Sequence, residues 1–251
     1  MKEILDVPFN AHCKLDVYLP DKDGFDMVVY FHGGGLESGD KHNECYRDIG
    51  AKLVENGYGF ISANYRMYPD GAKFPTYLED AADAVAFAQK HAKEYGGNGG
   101  LYVMGQSAGA WISVMLCVEP KFLANVGVNT QDILGWGIDS AQMTSHFNIL
   151  QKEKSCTPFA QRIDECAPLY YVDESTKFSR MILYFYEEDM PCRVEQNMLF
   201  YKAVKHFNPQ ADIEYKLLPL GHCHASSRKD EDGEYRFVKE ILPWLAKGKK
   251  E

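Results

Sequence analysis

One short stretch constrains this chain more than any other. Leu101, Tyr102, Val103 and Met104 form an apolar, strand-forming run, and Gly105-Gln106-Ser107-Ala108-Gly109 follows at once. Ala110, Trp111, Val114, Met115 and Val118 then recur at helical spacing, as an amphipathic helix requires. A serine in a Gly-x-Ser-x-Gly turn between a strand and a helix projects its hydroxyl above the sheet. The glycines let neighbouring backbone approach where a Cβ would clash. The helix start also presents its positive dipole end to developing negative charge. Ser107 is therefore the candidate nucleophile. A plain glycine-rich turn is the alternative, and the strand-then-helix context weighs against it.

The rest of the chain supplies the frame that such a turn needs. Residues 27–31, rich in β-branched and aromatic side chains, predict a buried central strand, with further strands over 15–20, 58–63, 181–186 and 213–218. Helices are expected over 42–56, 193–207 and 233–246. Another starts at Pro75, with Thr76 as its cap and Glu79 completing a capping box, and runs to near Tyr95. The glycines of 96–100 stop it. Residues 122–128 suggest one more strand. Residues 130–178 show no simple period and are expected to form a lid-like insertion with short helices. Alternating strands and helices predict an α/β fold, with a mostly parallel central sheet and helices on both faces. The length of 251 residues suits one domain over 1–251.

A second glycine cluster, His32-Gly33-Gly34-Gly35, follows the predicted strand at 27–31. Backbone N–H groups of such a loop can converge on an oxyanion, as acyl transfer requires. A phosphate-binding loop would end in Gly-Lys-Ser/Thr, which is absent here. The N–H after the nucleophile, that of Ala108, is a further donor. On Tyr30-Phe31-His32-Gly33-Gly34-Gly35, on Asn64-Tyr65-Arg66-Met67-Tyr68 with Phe74-Pro75 and Leu78-Glu79-Asp80, and on the pentapeptide around Ser107, the chain resembles the α/β-hydrolases. Within them it is similar to the hormone-sensitive-lipase-like carboxylesterases. The resemblance spans roughly residues 12–245 and is densest in the first half. It implies Gly34, Gly35 and Ala108 as oxyanion donors, with His32 anchoring the loop.

A serine nucleophile needs a base and an orienting acid, in this fold in the chain order serine, acid, histidine. The acid belongs after a late strand, where Glu187, Glu188 and Asp189 compete. The resemblance favours Asp189 by its spacing to Pro191, although the glycine usual in that turn is missing. The base belongs after the last strand, where Gly221-His222-Cys223-His224 offers two histidines. The resemblance favours His222. His-Cys-His could also be read as metal ligands, but consecutive residues suit a tetrahedral centre poorly and no distant Cys/His partner is evident. His146 falls in the expected insertion beside Phe147 and could face substrate; a plain core or surface role is the favoured reading. Cys223 is expected to be packing.

The function implied is a serine carboxylic-ester hydrolase working through an acyl-enzyme and without a cofactor. An insertion of about fifty residues is too short for a large lid. It points to small, short-acyl esters, such as acetyl esters of carbohydrates or small molecules. An arylformamidase or other amidase of the same fold is the rival enzyme, and a non-catalytic binding member of the fold is the rival of another class.

Composition narrows the partners. The formal net charge is −9, with no basic block before Lys247-Gly248-Lys249-Lys250, a solvated end. This argues against nucleic acid. Seven cysteines, an odd number with no Cys-x-x-Cys pair, argue against a disulfide framework and fit a reducing compartment. No apolar run approaches a membrane span and the first residues lack a signal core. A cytoplasmic protein with a small-molecule ester substrate and no membrane partner is expected; nothing in the sequence fixes an oligomeric state.

Overall fold

A computed structural model of the chain describes residues 1–248, so Lys249 and Lys250 of the expected solvated tail lie outside the described residues. Eight strands form one sheet: β1 (Lys2–Pro8), β2 (Lys14–Leu19), β3 (Phe25–Phe31), β4 (Gly59–Ala63), β5 (Gly97–Gln106), β6 (Gly135–Asp139), β7 (Met181–Glu188) and β8 (Ile213–Gly221). Their order is β1-β2-β4-β3-β5-β6-β7-β8. The β1–β2 and β2–β4 pairs are antiparallel, and all others are parallel. The helices are α1 (Glu44–Glu55), α2 (Thr76–His91), α3 (Ala108–Val118), α4 (Lys121–Asn125), α5 (Phe147–Lys152), α6 (Arg193–Phe207), α7 (His224–Ser227) and α8 (Arg236–Gly248).

Strand β3 explains the layering. All seven of its residues are buried, as a strand covered on both faces must be. Met27, Val29 and Phe31 join one core, with Tyr77 and Leu78 of α2, Trp111 of α3 and Phe200 of α6. Val28 and Tyr30 join the other, with Tyr46 and Ile49 of α1 and Phe237 and Trp244 of α8. The alternation of side chains along a strand thus sorts β3 between two separate cores. Parallel strands that all end at one edge bring their C-terminal loops together there. Ser107, Asp139, Asp189 and His222 follow or close β5, β6, β7 and β8 at that edge.

Four expectations are corrected. Residues 122–128 form no strand, since 121–125 are α4. The strand missed is β6, inside the stretch expected as an insertion over 130–178. Its sequence, Gly-Trp-Gly-Ile-Asp, carries only two apolar side chains because α8 and β5 occupy the space beside its glycines. A Cβ on Gly135 would lie 2.6 Å from the Trp244 ring, and one on Gly137 would lie 2.8 Å from the Met104 side chain. The irregular segment between β6 and β7 is therefore 140–180, and it contains α5. Helix α3 is not amphipathic, since every residue from Ala108 to Val118 is buried. Finally, Thr76 does not cap α2. It is the first helical residue, Pro75 precedes it without a side-chain cap, and the helix ends at His91 rather than near Tyr95. All seven cysteines are free.

Candidate active site

Ser107 sits between β5 and α3 with φ 52° and ψ −111°. A non-glycine residue in such a conformation stores on the order of 1–3 kcal/mol of strain. Backbone hydrogen bonds hold it: Ser107 N donates to Asp139 O at 2.8 Å, and Trp111 N donates to Ser107 O at 2.9 Å. The flanking glycines are compelled by contact. A Cβ on Gly105 would lie 2.3 Å from Gly109 O, and one on Gly109 would lie 2.1 Å from Phe31 O. The turn is thus wedged against the end of β3.

His222 follows β8, and its Nε2 lies 2.9 Å from Ser107 Oγ. Its Nδ1 lies 2.5 Å from Asp189 Oδ1. With Nδ1–H donating to the carboxylate, Nε2 is left to accept the serine proton. The Asp189 side chain is fully buried, and Met190 N also donates to its Oδ1 at 2.7 Å. Burial alone would raise the Asp189 carboxyl. The hydrogen bonds from His222 and Ser140 and the nearby Arg193 charge outweigh burial and hold it below the usual carboxylate range. Its rivals, Glu187 and Glu188, are exposed.

The loop's path sends the two histidine rings in different directions. His224 turns back on its own strand, where Gly221 N donates to its Nδ1 at 3.2 Å. A Cβ on Gly221 would meet its ring at 2.6 Å. His222-Cys223-His224 therefore do not converge on one point. Two other groups could hold a metal ion by geometry, Asp6 with Asp16 and His42, and Asp164 with Glu165 and Cys166. Each already pairs with a cation of the chain: Lys41 lies 2.9 Å from both Asp6 and Asp16, and Lys154 lies 2.8 Å from both Asp164 and Glu165.

The His32–Gly35 loop closes beside the elbow. His32 is fully buried, stacks on Tyr65 at 4.5 Å, and places Nδ1 2.7 Å from Gly33 O. Burial lowers its pKa, so it anchors as the neutral ring. Gly34 has φ 119°, and a Cβ there would fall 1.9 Å from Ser38 O; Gly35 has φ 66°. Gly33 N is spent on Tyr46 Oη at 3.0 Å. The N–H groups of Gly34 and Gly35 carry no hydrogen-bond partner among the described residues. Ala108 is the first residue of α3, so its N–H is one of the helix's unpaired donors.

Several residues of the site were not anticipated. The Ser140 hydroxyl lies 2.5 Å from Asp189 Oδ2 and 2.9 Å from His222 Nδ1. Arg193, buried, donates to Ser140 O. Both Asp139 and Ser140 lay in the stretch taken as insertion. Reading the Gly-Trp-Gly-Ile run as a strand would have exposed them as its C-terminal end. His146 is a core residue: it packs edge-on against Trp111 at 5.4 Å, and burial, aided by the Arg193 charge, pushes its pKa down to about 3. Phe147 instead reaches the glycine loop, 3.3 Å from where a Gly35 Cβ would stand, and stacks on the exposed Phe159 at 5.7 Å.

The same architecture occurs in solved structures. Esterase 2 of Thermogutta terrifontis, phosphonylated by sarin, superposes with a TM-score of 0.79 over 95% of this chain and 91% of that chain, at 16% identity. The protein has the α/β-hydrolase fold. A bifunctional GH43-CE protein of Bacteroides eggerthii matches this hydrolase fold with a TM-score of 0.74, over 99% of this chain and 38% of that one, at 18% identity. The BD-FAE family model matches residues 15–132. That span holds Ser107 and the His32–Gly35 loop but stops before Asp189 and His222.

Among curated relatives, a probable isoprenylcysteine alpha-carbonyl methylesterase from Oryza sativa subsp. japonica is 32% identical over 139 residues, 54% of this chain and 31% of its own length. Esterase LipI of Mycobacterium tuberculosis is 32% identical over 107 residues, 41% of this chain and 32% of its own. A kynurenine formamidase from Danio rerio is 31% identical over 117 residues, 45% of this chain and 38% of its own. The chain thus spans about a third of the length of these curated relatives. Among the described residues, no helix is long and apolar enough to cross a membrane.

Proposed function

We propose that the protein is a serine carboxylic-ester hydrolase acting on small, short-acyl esters, as one catalytic unit in which residues 140–180 roof the site. The observation that carries this reading is the hydrogen-bonded line from Ser107 Oγ through His222 to a buried Asp189. Ser107 attacks the acyl carbonyl as His222 Nε2 takes its proton. Asp189 keeps the imidazole in the required tautomer and stabilises its cation, and Ser140 holds both partners from the side. The N–H groups of Gly34, Gly35 and Ala108 receive the oxyanion; one such donor is worth about 10²–10³ in kcat. His222 then returns the proton to the leaving alcohol. Water, deprotonated by the same ring, cleaves the acyl-enzyme and frees Ser107. Every step is served by groups of the chain itself.

Support for a short acyl chain is spatial. Phe147 crowds Gly35, so an aromatic ring walls one side of the glycine loop. The relatives' names include esterases and kynurenine formamidases, and amide hydrolysis at the same serine is the second reading. Hydrolysis of a p-nitrophenyl ester series from acetate to laurate, alongside N-formylkynurenine, tests both. Acetate should give the highest kcat/KM. Preference for laurate would overturn the short-acyl reading, and preference for N-formylkynurenine would move the enzyme to the formamidases. No turnover and no labelling of Ser107 by an organophosphate would leave a binding protein.

A further inference from the structure

Asp139 is a carboxylate with no exposure to solvent and no ion pair among the described residues. Burying an acid without a cation is costly, yet nothing in the triad uses its side chain. Burial, with Asp189 adding to it, pushes its pKa up to about 6 against the pull of hydrogen bonds from Ser226 and Tyr186. Oδ1 accepts from Tyr186 Oη at 2.5 Å, and Oδ2 accepts from Ser226 Oγ.

The Ser226 bond is the last of a series. Gly33 N donates to Tyr46 Oη at 3.0 Å, and Tyr46 Oη donates to Gln106 Oε1 at 2.7 Å. Gln106 Nε2 then donates to Ser226 Oγ at 2.6 Å, and Ser226 donates to Asp139. All four bonds point one way. Because Gly33 N–H can only donate, the Tyr46 hydroxyl must pass its own hydrogen to Gln106, which sets the orientation of that amide. Each later donor is fixed in turn as far as Ser226, whose hydroxyl meets two acceptors, the nearer Asp139 Oδ2 and Cys223 O at 3.2 Å, and the series must end on a group that only accepts. Aligned bonds of this kind polarise one another in a low-dielectric interior.

The series links the segments that must be in register for the proposed reaction. Gly33 precedes the oxyanion donors, Gln106 precedes the nucleophile, and Ser226 lies four residues after the base. Asp139 adjoins Ser140, and its backbone oxygen accepts from Ser107 N.

We propose that Asp139 is a positioning residue, the terminal acceptor of a one-way hydrogen-bond series that sets the glycine loop at the distance from Ser107 and His222 needed for oxyanion binding. This rests on the ester-hydrolase reading. Asparagine at 139 would offer one acceptor and one donor where two hydroxyls now donate, so either the Ser226 bond or the Tyr186 bond would have to turn round or break.

The test is a double-mutant cycle on p-nitrophenyl acetate hydrolysis with Asp139→Asn and Tyr46→Phe, whose side chains do not touch. Rates are expressed per site labelled by paraoxon, which removes any unfolded fraction. Each single variant should lower kcat about 10- to 100-fold with KM within about threefold, and the double variant should fall within about threefold of the weaker single one. Multiplicative losses, or an Asp139→Asn kcat within twofold of wild type, overturn the proposal. If Asp139→Asn does not fold, Ser226→Ala with Tyr46→Phe asks the same question. If wild type neither turns over ester nor takes the label, the hydrolase reading has failed. The series is then judged by the same cycle in unfolding midpoints, where non-additive shifts sustain it and additive shifts overturn it.

Discussion

Residues 105–109 and residues 140–148 both close on the space around Ser107, but they are held by opposite means. The elbow is held by backbone. Gly105 meets Gly109, Gly109 meets Phe31 O, and Ser107 hangs from Asp139 O. The roof is held by side chains, two amides from α6 and its own Asn148. Gln196 Oε1 accepts from Met143 N at 2.6 Å and Thr144 N at 3.1 Å. Asn197 donates to Ala141 O at 2.9 Å, and Asn148 donates to Gly35 O at 2.6 Å. A backbone wedge admits almost no substitution. A segment hung from three amides can be re-cut by changing any of them, so under the proposed function the chemistry falls to the elbow and the selectivity to the roof.

The sharpest test of that division is the loss of the reacting groups. Ser107→Ala and His222→Ala should each lower kcat for p-nitrophenyl acetate by about 10⁴-fold or more. His224→Ala should stay within about threefold, since its ring faces Gly221. A dead His224→Ala with an active His222→Ala would move the base to His224.

Next in size is the wedge itself. Gly109→Ala forces a methyl group into Phe31 O and should cost about 3 kcal/mol or more in urea unfolding. Gly57→Ala, at φ 80° in open space, carries only the left-handed backbone penalty of about 1–2 kcal/mol. Equal costs would show that contact does not set the elbow.

The buried acid gives a pH signature of similar size. The Asp139 pKa is about 6 in the fold, raised from 3.8 chiefly by burial. Its protonated form is therefore favoured by folding. That contribution is complete below about pH 4 and is lost as pH rises through about 6. The shift corresponds to roughly 3 kcal/mol. Asparagine does not titrate, so the unfolding midpoint of Asp139→Asn minus that of wild type should rise from pH 4 to pH 8. A flat difference would mean that Asp139 keeps its ordinary pKa.

The smallest effect falls on the roof. Gln196→Ala leaves two buried N–H groups without their acceptor and should cost about 1–3 kcal/mol. It should alter the KM ratio between acetate and butyrate esters more than kcat for acetate. A uniform loss of kcat on both would place Gln196 with the elbow rather than the roof.

What the sequence by itself determined was local. The elbow, the glycine loop and the buried strands β3, β4 and β7 are legible because turn chemistry and apolar runs act within a few residues. The tertiary structure decided whatever depends on meeting across the sheet. Strand β6 was illegible because its glycines make room for Trp244 and Met104, so the apolar signal sits on its neighbours. His222 and His224 occupy one loop with equivalent chemistry, and only the turn after Gly221 places the His222 ring, and not the His224 ring, against Ser107. Ser140 and the Asp139 series draw on segments from Gly33 to Ser226. No local pattern records such a meeting, because it is made by chain ends that the parallel sheet gathers at one edge.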